Sequence, residues 1–140
     1  MALPDNAGRS WRREVDMAVI AGKSIQAADR WTRLCDVKQG QKYDFLASGT
    51  WIDWWIETDA DGYEKPWLAP FRAARRAPRE PWFALVGTID KDLSTAFGIG
   101  SKLSWTAPKT GTLWCFANDV AAWMYWNNKG AIDLQCTTPD

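Results

Sequence analysis

Apolar and polar side chains alternate with a period of two along most of this chain, the spacing of half-buried β-strands rather than helices. Val15, Met17 and Val19 alternate with Asp16 and Ala18, which predicts a first strand after Trp11-Arg-Arg-Glu. Residues 24–26 and 31–37 read as further short strands, separated by Ala-Ala-Asp-Arg. Lys38-Gln-Gly40-Gln is a turn, and Tyr43-Asp-Phe45-Leu-Ala47-Ser alternates cleanly before Gly49. Residues 51–56 are aromatic-rich and extended, and Asp59-Ala-Asp61-Gly62 turns the chain after them. Pro66, Pro70, Pro78 and Pro81 punctuate a long loop over 64–82, with a short helical turn near 71–76. Residues 83–89 form a buried-type strand, and 96–100 and 102–106 give two more, with a turn over 107–111. Residues 113–117 and 131–137 are expected to pair as a closing hairpin.

About eight to nine short strands, joined by Gly, Pro and Asx turns, predict an all-β fold. A jelly-roll β-sandwich of two antiparallel sheets suits their number and spacing. The 140 residues read as one domain, 1–140, with residues 1–10 expected to be a flexible N-terminus.

Charge narrows the function. Lys plus Arg and Asp plus Glu are balanced at 17 each, so no global field draws in nucleic acid or an anionic membrane. The basic cluster Arg72, Arg75, Arg76 and Arg79 reads as a solvated loop. Histidine is absent, which removes Ser-His-Asp and Cys-His nucleophile activation and the usual imidazole zinc ligand. Asp53 with Glu57, or Asp90 with Asp92, are the carboxylate pairs a glycosidase would need, but as surface acids on loops they predict no enzyme.

The three cysteines, Cys35, Cys115 and Cys136, have no short-spaced pair and predict neither a disulfide framework nor a zinc site. Cys115 is in phase with Leu113 and Ala117, and Cys136 with Ile132 and Leu134, so both read as small core-facing residues. The first residues lack the basic and apolar regions of a signal peptide, and no apolar run approaches a membrane span. The expectation is a soluble protein, cytoplasmic or exported by a non-Sec route.

Candidate chemistry concentrates in residues 111–131. A strand-like run ends in Asn118-Asp119, an apolar loop follows over 120–126, and Asn127-Asn128 open a turn into the next strand. Carboxylate and amide oxygens around one loop, helped by its carbonyls, are the ligands of a hard cation such as Ca²⁺. The competing reading is an Asx-rich turn, because Asn and Asp tolerate turn conformations. Trp123, Met124, Tyr125 and Trp126 in the same loop supply flat or soft apolar surfaces, and the chain holds 11 tryptophans in all. So many are not expected all to be buried, and sugar-binding surfaces use the same stacking faces.

The order of segments resembles a known family. Trp11-Arg-Arg-Glu-Val15 comes first, then Gly40-Gln-Lys-Tyr-Asp-Phe-Leu-Ala-Ser-Gly49-Thr-Trp51, Leu85-Val-Gly87-Thr-Ile89 and Phe97-Gly-Ile-Gly100. The series ends in Asn118-Asp119-Val120 and Asn127-Asn128-Lys-Gly130. It is similar to the PA-I type bacterial galactophilic lectins and the galactose-binding-like jelly rolls related to them. The resemblance spans residues 11 to 137. It implies a Ca²⁺ in the loop between the last two strands, whose coordination is completed by two sugar hydroxyls. By position it makes Asp119 the ligating carboxylate, Asn127 and Asn128 side-chain ligands, and the backbone carbonyl of Val37 a further ligand.

The family loop is one residue shorter, and its His-Pro-x-Gln sugar-contacting segment has no counterpart here. Asp61, Tyr63 and Trp67 stand in the equivalent region, and with Trp123 and Trp126 they are the candidate sugar-binding residues. The function expected from the resemblance is a calcium-dependent lectin for a galactose-like sugar, with homo-oligomerisation left open. The alternative is a metal-free interaction module on the same fold, using the Trp-rich 120–126 loop for protein, oligomer or lipid contacts.

Overall fold

The computed structural model describes the backbone of residues 17–120 and 122–139, with side chains from 18–120 and 125–139. The expected strand start at Val15 and Asp16 and the N-terminal segment before it lie outside the described residues, as do Ala121 and the side chains of Trp123 and Met124. Ten strands are present among the described residues, in two antiparallel sheets, the β-sandwich that the alternation predicts. They are β1 (Met17–Gln26), β2 (Thr32–Val37), β3 (Lys42–Ser48), β4 (Trp51–Asp53), β5 (Ile56–Thr58), β6 (Leu85–Ile89), β7 (Asp92–Gly98), β8 (Lys102–Thr106), β9 (Gly111–Ala117) and β10 (Asn128–Pro139).

The first sheet is built on the long strand β10. β1 pairs along one edge of it, while β3 and β4 pair along the other. Ser48 opposes Asp133 and Trp51 opposes Gly130, one uninterrupted register, so β3 and β4 are a single strand bent at Gly49-Thr50. Gly49 and Gly130 both adopt positive φ at the bend, +100° and +84°. A Cβ on Gly130 would lie 3.0 Å from the Trp51 backbone, so only glycine fits there without displacement. This bend carries Asp53 and Asn128 to one end of the sandwich as ladder partners. β8 flanks β3 and β5 flanks β4.

The second sheet runs β2-β9-β6-β7. The expected closing hairpin is therefore not formed. β9 pairs with β2 and β6, β10 belongs to the other sheet, and the connection between them crosses the sandwich. Three other expectations are corrected. Residues 51–56 are a hairpin rather than one strand, turning at Trp54 with φ +61°. Residues 17–26 form one strand, not two pieces, and a bulge between Val19 and Ala21 resets its phase, leaving Val19 exposed and Ile25 buried. The helical turn of the proline-rich loop is a 3-10 helix over Pro66–Ala74, earlier than expected and with no buried residue.

Phe45, Ile132, Leu134 and Cys136 from the first sheet meet Leu85, Ile89, Leu113 and Cys115 from the second. All three cysteines are buried free thiols, with Cys115 and Cys136 in the expected phase. β6 is buried at every position because Val86 and Phe116, on the outer face of its sheet, lie under Ala77 and Trp31.

Candidate functional site

Asn118 and Asp119 follow directly on β9, and their side chains have opposite fates. Asn118 Oδ1 accepts the Ala77 N–H at 2.9 Å, and its Nδ2 donates to the carbonyls of Ala77, Glu80 and Pro81. That side chain pins the 77–81 segment, with both of its polar atoms engaged by backbone groups. Asp119 Oδ1 accepts the Val120 N–H at 2.7 Å, while Oδ2 is buried without a partner.

Asn127 and Asn128 stand where the chain enters β10. Asn128 Nδ2 donates to the Ala27 carbonyl at 3.1 Å, but its Oδ1 is buried and unpartnered, as is Asn127 Oδ1. Across the ladder from Asn128, Asp53 accepts the Tyr63 hydroxyl on Oδ2 at 2.6 Å. Burial, and then the negative charge of Asp53, push the Asp119 carboxyl up to about 6. Burial raises Asp53 as well, and burial together with Asp53 raises the Tyr63 hydroxyl above its usual range. Two carboxyls that burial holds above the usual carboxylate range thus stand at the same end of the sandwich as the unpartnered amide oxygens of Asn127 and Asn128.

Asp53 and Asp119 also line a cleft of about 310 Å³ whose other walls include Trp54, Trp55, Tyr63, Trp67 and Phe71. Trp54 and Trp55 are tilted against each other with ring centroids 4.4 Å apart. The 3-10 helix supplies Trp67 and Phe71, and both are more than half exposed. Tyr63 is held by paired backbone hydrogen bonds with Trp82, of 2.8 and 3.0 Å. Val120, the first residue of the apolar loop, closes one side of the cleft.

The remaining candidates fall elsewhere. Val37 pairs with Gly111 at the start of β9, whereas Asp119 follows its end. At 3.3 Å per residue that separates them by roughly 25 Å, and the Val37 carbonyl has no place beside Asp119. Asp61 is occupied by the N–H and hydroxyl of Ser101 and does not line the cleft. Trp126 is 78% exposed, outside the cleft walls.

The basic cluster is only half solvated. Arg75 is buried and paired with Glu64 at 3.0 Å. Arg76 stacks on Phe116 at 3.7 Å and Trp31 at 4.3 Å, and its backbone N–H donates to the Asp119 carbonyl. Among the described residues no group of three or more His, Cys, Asp or Glu is placed to hold a metal, so a cation here would depend on amide oxygens too. Asp53, which the sequence offered only as a surface acid, is brought to this end by its pairing with Asn128 and lines the cleft.

Two antiparallel sheets with loops gathered at one end define a β-sandwich domain, a class that serves many functions. Among solved structures the chain is similar to the N-terminal domain of EclA, described as a PllA-like lectin, with a TM-score of 0.63. The match covers 87% of this chain and 98% of that one at 19% sequence identity, a likeness of fold. No family model and no curated protein sequence matches the chain.

Proposed function

We propose that this protein is a calcium-dependent lectin that binds a galactose-like sugar in the aromatic cleft beside Asp119. One observation carries the reading. Of the six buried side-chain polar atoms without a partner among the described residues, three are oxygens of Asp119, Asn127 and Asn128. Each unpartnered buried group costs about 1–3 kcal/mol, so three together at one loop are expensive unless a ligand satisfies them. The donor set of one carboxylate and two amide oxygens, all hard, suits Ca²⁺ rather than a thiophilic metal.

A bound Ca²⁺ would supply coordination positions for two neighbouring sugar hydroxyls. The chain's own groups do the rest. Trp54, Trp55 and Trp67 offer flat apolar faces to the C–H side of a pyranose ring. Tyr63 and Asp53 provide hydrogen-bonding atoms at the polar end of the same cleft. The fold likeness to a lectin domain supports this reading. Calorimetric titration with methyl galactoside, in Ca²⁺ and then in EDTA, tests it: binding is expected only with the ion.

A second reading is favoured by Trp126, whose exposed ring lies outside the cleft. Here the 120–126 loop docks a partner surface without metal. Binding to a partner that survives chelator, and is lost on Trp126→Ala, would favour it over the lectin.

A further inference from the structure

We infer that Asp53 is a second carboxylate of the cation site, fixed there by Tyr63, so that the ion ties the aromatic hairpin to the start of β10. The inference rests on the reading of Asp119, Asn127 and Asn128 as ligands.

Asp53 ends β4, and the ladder sets it directly opposite Asn128. Its Oδ2 is taken by the Tyr63 hydroxyl at 2.6 Å, which orients the carboxylate and leaves Oδ1 for another partner. It lines the same cleft as Asp119. Two buried oxygens without a partner point to a ligand at this end. Asp119 is 5% exposed with Oδ2 unpartnered, and Asn128 is 4% exposed with Oδ1 unpartnered. With no cation, two carboxylates at this end repel each other in a partly desolvated place, and no side chain forms an ion pair with either among the described residues. A divalent cation removes that conflict and turns both charges into ligands.

The consequence reaches the cleft. Trp54 and Trp55 follow Asp53 immediately, and Trp54 holds a positive φ that a bulky residue adopts only when its surroundings impose it. An ion bound to Asp53 would brace that turn from one side, as Tyr63 and its bridge to Trp82 do from the other. Sugar-stacking surface and ion would then be coupled through one residue.

The test compares wild type, Asp53→Asn, Tyr63→Phe and Asp119→Ala by Ca²⁺ calorimetry, melting in EDTA and tryptophan emission. Asp53→Asn is expected to weaken Ca²⁺ binding at least tenfold. It should also abolish the change in emission at saturating Ca²⁺, yet melt in EDTA no lower than wild type, since it removes a repelling charge. Tyr63→Phe, which keeps the carboxylate but frees it, should weaken Ca²⁺ a few-fold. Equal Ca²⁺ affinity in wild type and Asp53→Asn overturns the role of Asp53 while leaving the other ligands standing. A melting temperature lowered in EDTA makes Asp53 a structural residue and overturns it as well. A wild type that takes up no Ca²⁺, with Asp119→Ala indistinguishable from it, removes the underlying ion reading and this inference with it.

Discussion

Replacing Asp119 by alanine separates a ligand from a turn residue. The carboxylate makes one hydrogen bond, from the Val120 N–H, and its other oxygen is buried with no partner. In EDTA the substitution loses that bond, about 1 kcal/mol, but also relieves the burial of a charge beside Asp53. The variant should therefore melt within a few degrees of wild type when no ion is present. With Ca²⁺ the two proteins should part. An ion that binds only the folded state at a hundredfold excess over its dissociation constant adds about 2.7 kcal/mol. In a domain of this size that corresponds to a rise of about 10 °C. Wild type should show the rise and Asp119→Ala should not. The assay is a thermal melt by circular dichroism, with excess Ca²⁺ and then with EDTA. An unchanged Ca²⁺ shift in Asp119→Ala would refute the proposed ligand set.

Other perturbations probe the cleft and its frame. Trp67→Ala should abolish methyl galactoside binding in calorimetry while leaving the Ca²⁺ melting shift intact, because its ring lines the cleft but has no oxygen to offer an ion. Arg76→Ala loses stacking on Phe116 and Trp31 and hydrogen bonds to Tyr125 and Arg30. It should cost about 2–4 kcal/mol in urea unfolding, with Arg76→Lys recovering only part. Gly130→Ala forces a Cβ against Trp51 at φ +84°, and a loss of at least about 1 kcal/mol is expected in the same assay. All three cysteines should be intact thiols by native mass analysis and react with a thiol reagent only after unfolding, and a stoichiometric disulfide would contradict their place in the core.

Strand phase was legible where a strand buries one face only. Phe45 and Ala47 in β3, Leu113 and Cys115 in β9, and Ile132 and Leu134 in β10 point inward as their alternation requires. Strand partners were not legible. Neighbours in sequence usually pair, which suggested a β9–β10 hairpin, but β10 takes its partners from β1, β3 and β4, all far upstream. The same long-range pairing explains why Val37 falls away from Asp119 and why Asp53 read only as a surface acid. Nothing local to either residue says that one lies at the far end of β9 and the other opposite Asn128. The arginine cluster misled for a related reason: the rings that bury Arg76 come from β9 and from the turn before β2.

The oxygen-rich loop itself was visible in the sequence, but its meaning was not, since Asn and Asp serve turns and cations alike. The fold treats neighbouring Asx residues differently within a single stretch. Asn118 has every polar atom engaged by backbone groups of 77–81, which is what a structural Asx residue should show. Asp119, one residue on, leaves an oxygen buried and unpaired, and so do Asn127 and Asn128 at the far side of the loop. A turn gives no reason for a chain to keep three such oxygens together, because smaller or apolar residues would remove the cost. Conflicts of this kind, where local satisfaction is given up at one place and kept next door, mark sites held for a ligand. That contrast between Asn118 and its neighbours, more than the count of oxygens, is what the proposed cation site rests on.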